Sequence, residues 1–171
     1  MKTITFRRDV LPLKDMLFRM ALHIVLVRED AEDIVQETLL KVWSKRDSWD
    51  SIESMEAWCI TICRNLALDH VRRKHSLLDV SSSKVEHSLP DDSRSPLEEA
   101  HHNSRVEVVK QLIGTLTEKQ RTCMMLRDIE GKSYKEIADV LDMTIEQVKI
   151  NIFRGRQAVR NKYQKIDNDG L

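Results

Sequence analysis

A chain of 171 residues and 20.0 kDa has room for one domain or two small ones and excludes a large multidomain enzyme. With 4 Gly, 3 Pro and 33% charged residues it lacks the turn residues that a many-stranded sandwich or barrel requires, so an all-α fold is expected. The formal net charge of zero is a sum over unlike segments: Glu29 to Glu37 holds five carboxylates and no base, and Lys149 to Lys165 holds six basic residues and no acid. Charge sorted in this way steers binding. Three cysteines in no disulfide-like array fit a reducing compartment. The longest apolar run, Met20 to Val27, contains His23 and falls far short of the ~20 residues that span a bilayer. The opening MKTITFRRDV has no apolar signal-peptide core, so a soluble cytoplasmic protein is expected.

Leu13, Leu17, Met20 and Ile24 recur at helical spacing and predict a first helix over about 10–27, with Asp9 as N-cap and nothing helical before it. Arg28-Glu29-Asp30 reads as a break. Ala31, Ile34, Val35, Thr38, Leu39 and Val42 then predict a second helix to about Arg46. Residues 47–53 have no helical period and are rich in Asp and Ser, so a loop carrying Trp49 is expected. A third helix over about 54–73 is expected to bury Met55, Trp58, Cys59, Ile62 and Leu66, leaving Ile60, Arg64, Leu68 and Val71 outward before the basic run Arg72 to His75. These three helices suffice for one bundle, residues 1–75.

Residues 76–96 include Ser81-Ser82-Ser83 and Pro90 to Pro96, with too little apolar surface to offset the entropy of ordering them, and are expected to form a flexible linker. The second domain, 97–171, opens with a helix over 97–116. Thr117 with Gln120, Ser133 with Glu136, and Thr144 with Gln147 are three capping boxes that start helices over about 118–130, 134–141 and 145–163, with Gly131 stopping the first. A short helix, a turn at Leu141 to Thr144 and a long basic helix make a helix-turn-helix. On the last helix Ile145, Val148, Ile152, Gly155 and Val159 share one arc, which turns Lys149, Ile150, Phe153, Arg154, Gln157 and Arg160 outward. Cations for phosphate and short reach to base edges are what duplex binding requires.

In this order EDAEDIVQETLLKVW (29–43), SMEAWCITICRNLALDHVRRKH (54–75) and GKSYKEIADVLDMTIEQVKINIFRGRQAVRNKY (131–163) resemble an extracytoplasmic-function sigma factor of bacterial RNA polymerase. The resemblance covers nearly the whole chain. It implies a promoter-directing transcription initiation factor, not an enzyme, with no cofactor or metal. The implied partners are core polymerase, through its β′ clamp coiled coil and β flap, promoter DNA, and an anti-sigma factor that in the family is often membrane-bound. Asp33, Gln36 and Glu37 match the polymerase-docking pattern. Trp49, Asp50, Arg64, Arg72 and Arg73 match the surface that engages the opened −10 strand, and the outward residues of the last helix match the −35 reader. Two readings of Trp49 stay open at this level: a stacking platform for an unpaired base, or a cap on the bundle.

Asp142 stands where the family's turn has Gly, a position that Asp tolerates. Lys149 stands where relatives often carry Arg and cannot make the same forked contact to guanine. The linker has a relaxed span of roughly 25 Å and a limit of about 70 Å, against roughly 60–70 Å between promoter elements two helical turns apart. On a promoter it is therefore expected to be nearly taut. Glu98 with His101 or His102 has a metal-site spacing but no second ligand set, and no Gly-rich phosphate loop or nucleophile elbow occurs. A stand-alone helix-turn-helix regulator would account for 131–163 but not for the third helix.

Overall fold

The computed structural model describes residues 4–78 and 96–168, with residue 78 and residues 96–104 described by backbone alone. All regular structure among the described residues is helical, and they fall into two compact units that lie on either side of residues 79–95 in sequence, save that Asp139–Asp142 group with the first. Those residues, most of the expected linker, lie outside the described ones.

The first unit opens earlier than its periodicity suggests. A π-helical turn at Phe6–Val10 and a 3-10 turn at Leu11–Leu13 lead into α1, Lys14–Val25. Asp9 is therefore not the N-cap of α1; its carboxylate accepts from the Thr5 N–H at 2.7 Å and closes the preceding turn. Pro12 sits in the 3-10 turn, where a missing N–H costs little. α1 ends at Leu26, which adopts a left-handed φ of 61° and donates its N–H to Leu22 O at 2.9 Å. The break is thus at Leu26–Val27, and α2, Arg28–Ser44, already includes Arg28, Glu29 and Asp30. Carboxylates in the first turn complement the positive end of the helix dipole.

α2 buries Ala31, Ile34, Val35, Thr38 and Val42, and the Thr38 hydroxyl is satisfied by donating to Ile34 O at 2.7 Å. Residues expected to be loop form a 3-10 segment, Arg46–Ser51, in which Ser48 and Ser51 hydroxyls donate to Lys45 O and Ser48 O at 2.8 and 2.7 Å. α3 spans Met55–Leu78, with Ser54 Oγ accepting from Ala57 N–H at 3.2 Å. Residues 76–78, expected in the linker, continue this helix.

The buried side of α3 differs from the expected one. Met55, Cys59, Ile60, Cys63, Leu66 and Ala67 are buried, whereas Trp58 and Ile62 are half-buried. Ile60, expected to face outward, is 2% exposed. The physical reason is that α3 packs against both α1 and α2, so its apolar arc is wider than one partner would need and is turned toward Ile60. Burial pushes the two thiols stacked on this arc, Cys59 and Cys63, up to about 12, with the neighbouring Cys63 and Glu56 adding to the effect at Cys59.

The second unit comprises α4, Pro96–Gly114; α5, Glu118–Met124, continued by a π-helical turn at Met125–Ile129; α6, Tyr134–Leu141; and α7, Ile145–Asn168. All three capping boxes form. Gln120, Glu136 and Gln147 N–H groups donate to the Thr117, Ser133 and Thr144 hydroxyls at 3.3, 3.2 and 3.1 Å, and each side chain reaches back to its cap. Gly131 takes φ +67°, as a C-terminal stop requires. α4 stops two residues before the expected Leu116 because a buried guanidinium receives its end: Arg121 Nη1 donates to Gly114 O at 3.1 Å and Leu116 O at 3.2 Å. Desolvation lowers the Arg121 pKa, and Glu118 opposes that. The side chains of Glu98, His101 and His102 lie outside the described ones.

Candidate nucleic-acid interface

α6 and α7 are joined through Asp142, whose φ of 52° turns the chain as a glycine would, while Met143 N–H donates back to Ala138 O at 3.0 Å. Ile137, Ala138 and Leu141 of α6 are buried, as are Val148, Ile152 and Gly155 of α7. Gly155 marks a close approach: a Cβ there would meet the Met124 side chain. Ile145 and Val159, expected at the core, are only partly covered because they sit at the two ends of the packed stripe.

The opposite face carries Lys149, Ile150, Phe153, Arg154, Gln157 and Arg160, and all six are exposed. Sequence reasoning missed two features here. Glu146 shares the exposed arc in the first turn of α7, a position legible from the same periodicity. Tyr134 gathers cations, with the Arg127 guanidinium 4.5 Å and the Lys149 ammonium 5.5 Å from its ring centroid. α7 is further braced by Arg156, paired through Nη2 and through Nε at 3.1 Å with Asp128, a contact that raises the Arg156 pKa. Arg156 is thus held by protein, whereas its neighbours on the outward arc face solvent.

In the first unit the sequence-predicted residues separate into different environments. Asp33, Gln36 and Glu37 are exposed on one side of α2, with Glu37 3.3 Å from Lys41. Leu40 continues that side at 68% exposure and Trp43 borders it at 47%; an apolar residue off the buried period is the signal for it in the sequence. Asp50, Arg72 and Arg73 are exposed and Arg64 is half-buried. Lys74 leaves the basic run: its Nζ lies 3.2 Å from Asp30 Oδ2, where His70 Nε2 approaches to 3.0 Å. Burial raises the Asp30 pKa, but its bonds to Lys74 and His70 outweigh that and hold it below 3.8.

Trp49 lies inside the bundle and not on its surface. It is 6% exposed, its Nε1–H donates to Val42 O at 3.1 Å, and its ring lies 6.5 Å from Phe6 in a stacked arrangement and 6.3 Å from Trp43 edge-on. This burial supports the bundle-cap reading of Trp49 over that of a stacking platform. Among the described residues no cluster of three His, Cys, Asp or Glu could hold a metal, and no helix is long and apolar enough to cross a membrane.

Comparison with known proteins falls on the same two units. Residues 10–76 match the model for Sigma-70 region 2 and residues 107–159 that for Sigma-70, region 4. The ECF RNA polymerase sigma factor SigE of Mycolicibacterium smegmatis is 31% identical over 156 residues, 91% of this chain; this chain spans 60% of that protein's length. SigW of Bacillus subtilis is 27% identical over 166 residues, 90% of this chain and 86% of its own. In solved structures, the sigma factor RpoE of Bartonella quintana, in complex with the anti-sigma factor NepR, has a TM-score of 0.74 over 95% of this chain and 98% of that one at 24% identity, a likeness of fold. Both regions, in order on one all-helical chain whose second unit presents a capped helix-turn-helix, place it in its family: the chain belongs to the extracytoplasmic-function sigma factors, promoter-specific transcription initiation factors of bacterial RNA polymerase.

Proposed function

We propose that this chain works in the cytoplasm by binding and not by bond chemistry, docking on core polymerase and opened −10 DNA through residues 1–75 and on −35 DNA through residues 97–171, with residues 76–96 as the arm between them. The observation that carries the reading is the exposed face of α7, where Lys149, Arg154 and Arg160 stand clear of the buried line Val148, Ile152 and Gly155. Lys149 and Ile150, in the second turn of the recognition helix, are within reach of base edges; Arg154, Gln157 and Arg160 lie along the flanking phosphates, and Phe153 supplies an apolar contact.

Asp33, Gln36 and Glu37 dock on the β′ clamp coiled coil, with Leu40 adding apolar area to an otherwise polar contact. The second unit meets the β flap. Asp50, Arg64, Arg72 and Arg73 engage the opened strand, and Trp49 holds the Arg46–Ser51 segment that presents Asp50. The regulatory partner is an anti-sigma factor; RpoE, a neighbour in fold, was solved with one. The test is transcription from promoters recovered with core polymerase and a genomic fragment library. The full chain is expected to direct RNA synthesis only with core polymerase. Replacing Lys149, Arg154 and Arg160 by Gln is expected to cut promoter binding and to reduce the slope of log K against log salt by about 3. Unchanged transcription in that triple variant refutes the assignment of α7.

A further inference from the structure

The outward face of α7 is not uniformly basic. Ile150 is 47% and Phe153 67% exposed, while Lys149 and Arg154 flank them. At about 100° per residue, Ile150 falls opposite the buried line Val148, Ile152 and Gly155, and with Phe153 it puts hydrocarbon in the middle of an arc shared with Glu146 and Gln157. Phosphate neutralisation gains nothing from carbon at this place, and an exposed apolar pair on a polar helix face marks a partner with an apolar feature of its own. The cations on either side select the class of partner, since they match two phosphate rows bordering a groove. In a major groove the apolar feature is the C5-methyl group of thymine.

We propose that Ile150 and Phe153 together read thymine C5-methyl groups in the −35 element, so that this chain selects a thymine there by apolar contact where a forked arginine would select guanine by hydrogen bonds. The inference rests on the assignment of α7 as the −35 reader. The neighbouring Lys149 fits this division of labour: its ammonium lies against the Tyr134 ring, leaving Ile150 at the centre of the face.

The experiment uses the full chain with core polymerase. The −35 sequences it prefers are selected from a randomised library, and each selected thymine is then replaced by deoxyuridine, which removes the methyl group and keeps pairing and hydrogen bonding. Loss of one buried methyl is expected to weaken holoenzyme binding about fourfold at one or two positions and to leave the others unchanged. The double variant Ile150→Ala, Phe153→Ala is expected to bind the thymine promoter more weakly and to bind thymine and deoxyuridine promoters equally. Lys149→Gln is expected to weaken both DNAs while preserving the thymine preference. The proposal is overturned if no thymine is selected, if deoxyuridine is tolerated at every −35 position, or if the preference survives in the double variant. Tolerance of deoxyuridine together with loss of transcription in the double variant would instead assign the pair to a protein partner. Failure of the underlying −35 reading is distinguishable, because Lys149→Gln and Arg154→Gln would then leave DNA binding unchanged.

Discussion

Trp49 separates a packing role from a base-stacking role, and two substitutions decide between them. Trp49→Ala removes the buried indole of the Phe6, Trp43, Trp49 cluster from a site that is 6% exposed, and a truncation of that kind costs about 3–5 kcal/mol. For a unit of this size each kcal/mol lowers the midpoint by about 4–8 °C, so the Ala variant is expected to lose at least ~12 °C. Trp49→Phe keeps an aromatic ring against Phe6 but loses the Nε1–H bond to Val42 O, whose carbonyl still accepts from Lys45 N–H at 3.3 Å. Its cost is therefore about 1–2 kcal/mol. Thermal unfolding followed by tryptophan emission reads this unit selectively, because Trp43, Trp49 and Trp58 all lie in it. A stacking role predicts the reverse pattern: a normal midpoint for Trp49→Ala, defective promoter opening, and rescue by Phe. A midpoint within about 3 °C of the parent for Trp49→Ala would refute the packing argument.

The folded-state Asp30 pKa is depressed, so the stability it contributes is present above the ordinary carboxylate value of 3.8 and is lost as pH falls through the folded value. Asp30→Asn is accordingly expected to lower the first unit's midpoint at pH 7, with the gap to the parent closing below about pH 4 in a pH series of thermal melts. Thr144→Ala opens the capping box ahead of the recognition helix; a loss of about 1 kcal/mol and faster amide exchange confined to the first turn of α7 are expected, with uniform exchange across α7 counting against it. Cys59 and Cys63, pushed up to about 12 by burial, are expected to resist a thiol reagent at pH 8 until the first unit unfolds, and rapid labelling of the native chain at either position would contradict their placement.

The parts of the fold that sequence conveyed best were those where a side chain and a backbone group complete each other locally. Thr117 with Gln120, Ser133 with Glu136, and Thr144 with Gln147 each needed only a four-residue window, and Asp142 and Gly131 announced their positive φ by residue type. The N-terminal turns and the end of α1 were not legible for the converse reason. Leu26 adopts the left-handed conformation without being Gly or Asn, and Asp9 caps a turn that only the Thr5 backbone reveals. Ile60 shows a second limit. Periodicity gives the direction of a buried arc but not its width, which depends on how many helices pack on it, and α3 packs on two.

Of the candidate sites, the α7 face was read correctly as to exposure because its helix is buried along one narrow stripe, and anything opposite that stripe must face water. The α3 surface was read less well because charge alone does not say which basic residue is available: Arg72 and Arg73 are exposed, whereas the adjacent Lys74 folds back onto Asp30 across the bundle. A cation's availability depends on carboxylates distant in sequence, here 44 positions away. The two surfaces proposed to face DNA differ in the same respect. The outward arc of α7 presents Lys149, Arg154 and Arg160, of which Lys149 lies against the Tyr134 ring, which leaves its charge for phosphate; α3 divides its charge between holding α2 and facing outward. Arg72 and Arg73 contact only Asp69 of their own helix, at 3.4 and 3.3 Å, so neutralising them should act chiefly on −10 engagement, whereas neutralising Lys74 should lower the stability of the first unit and affect promoter opening only through it.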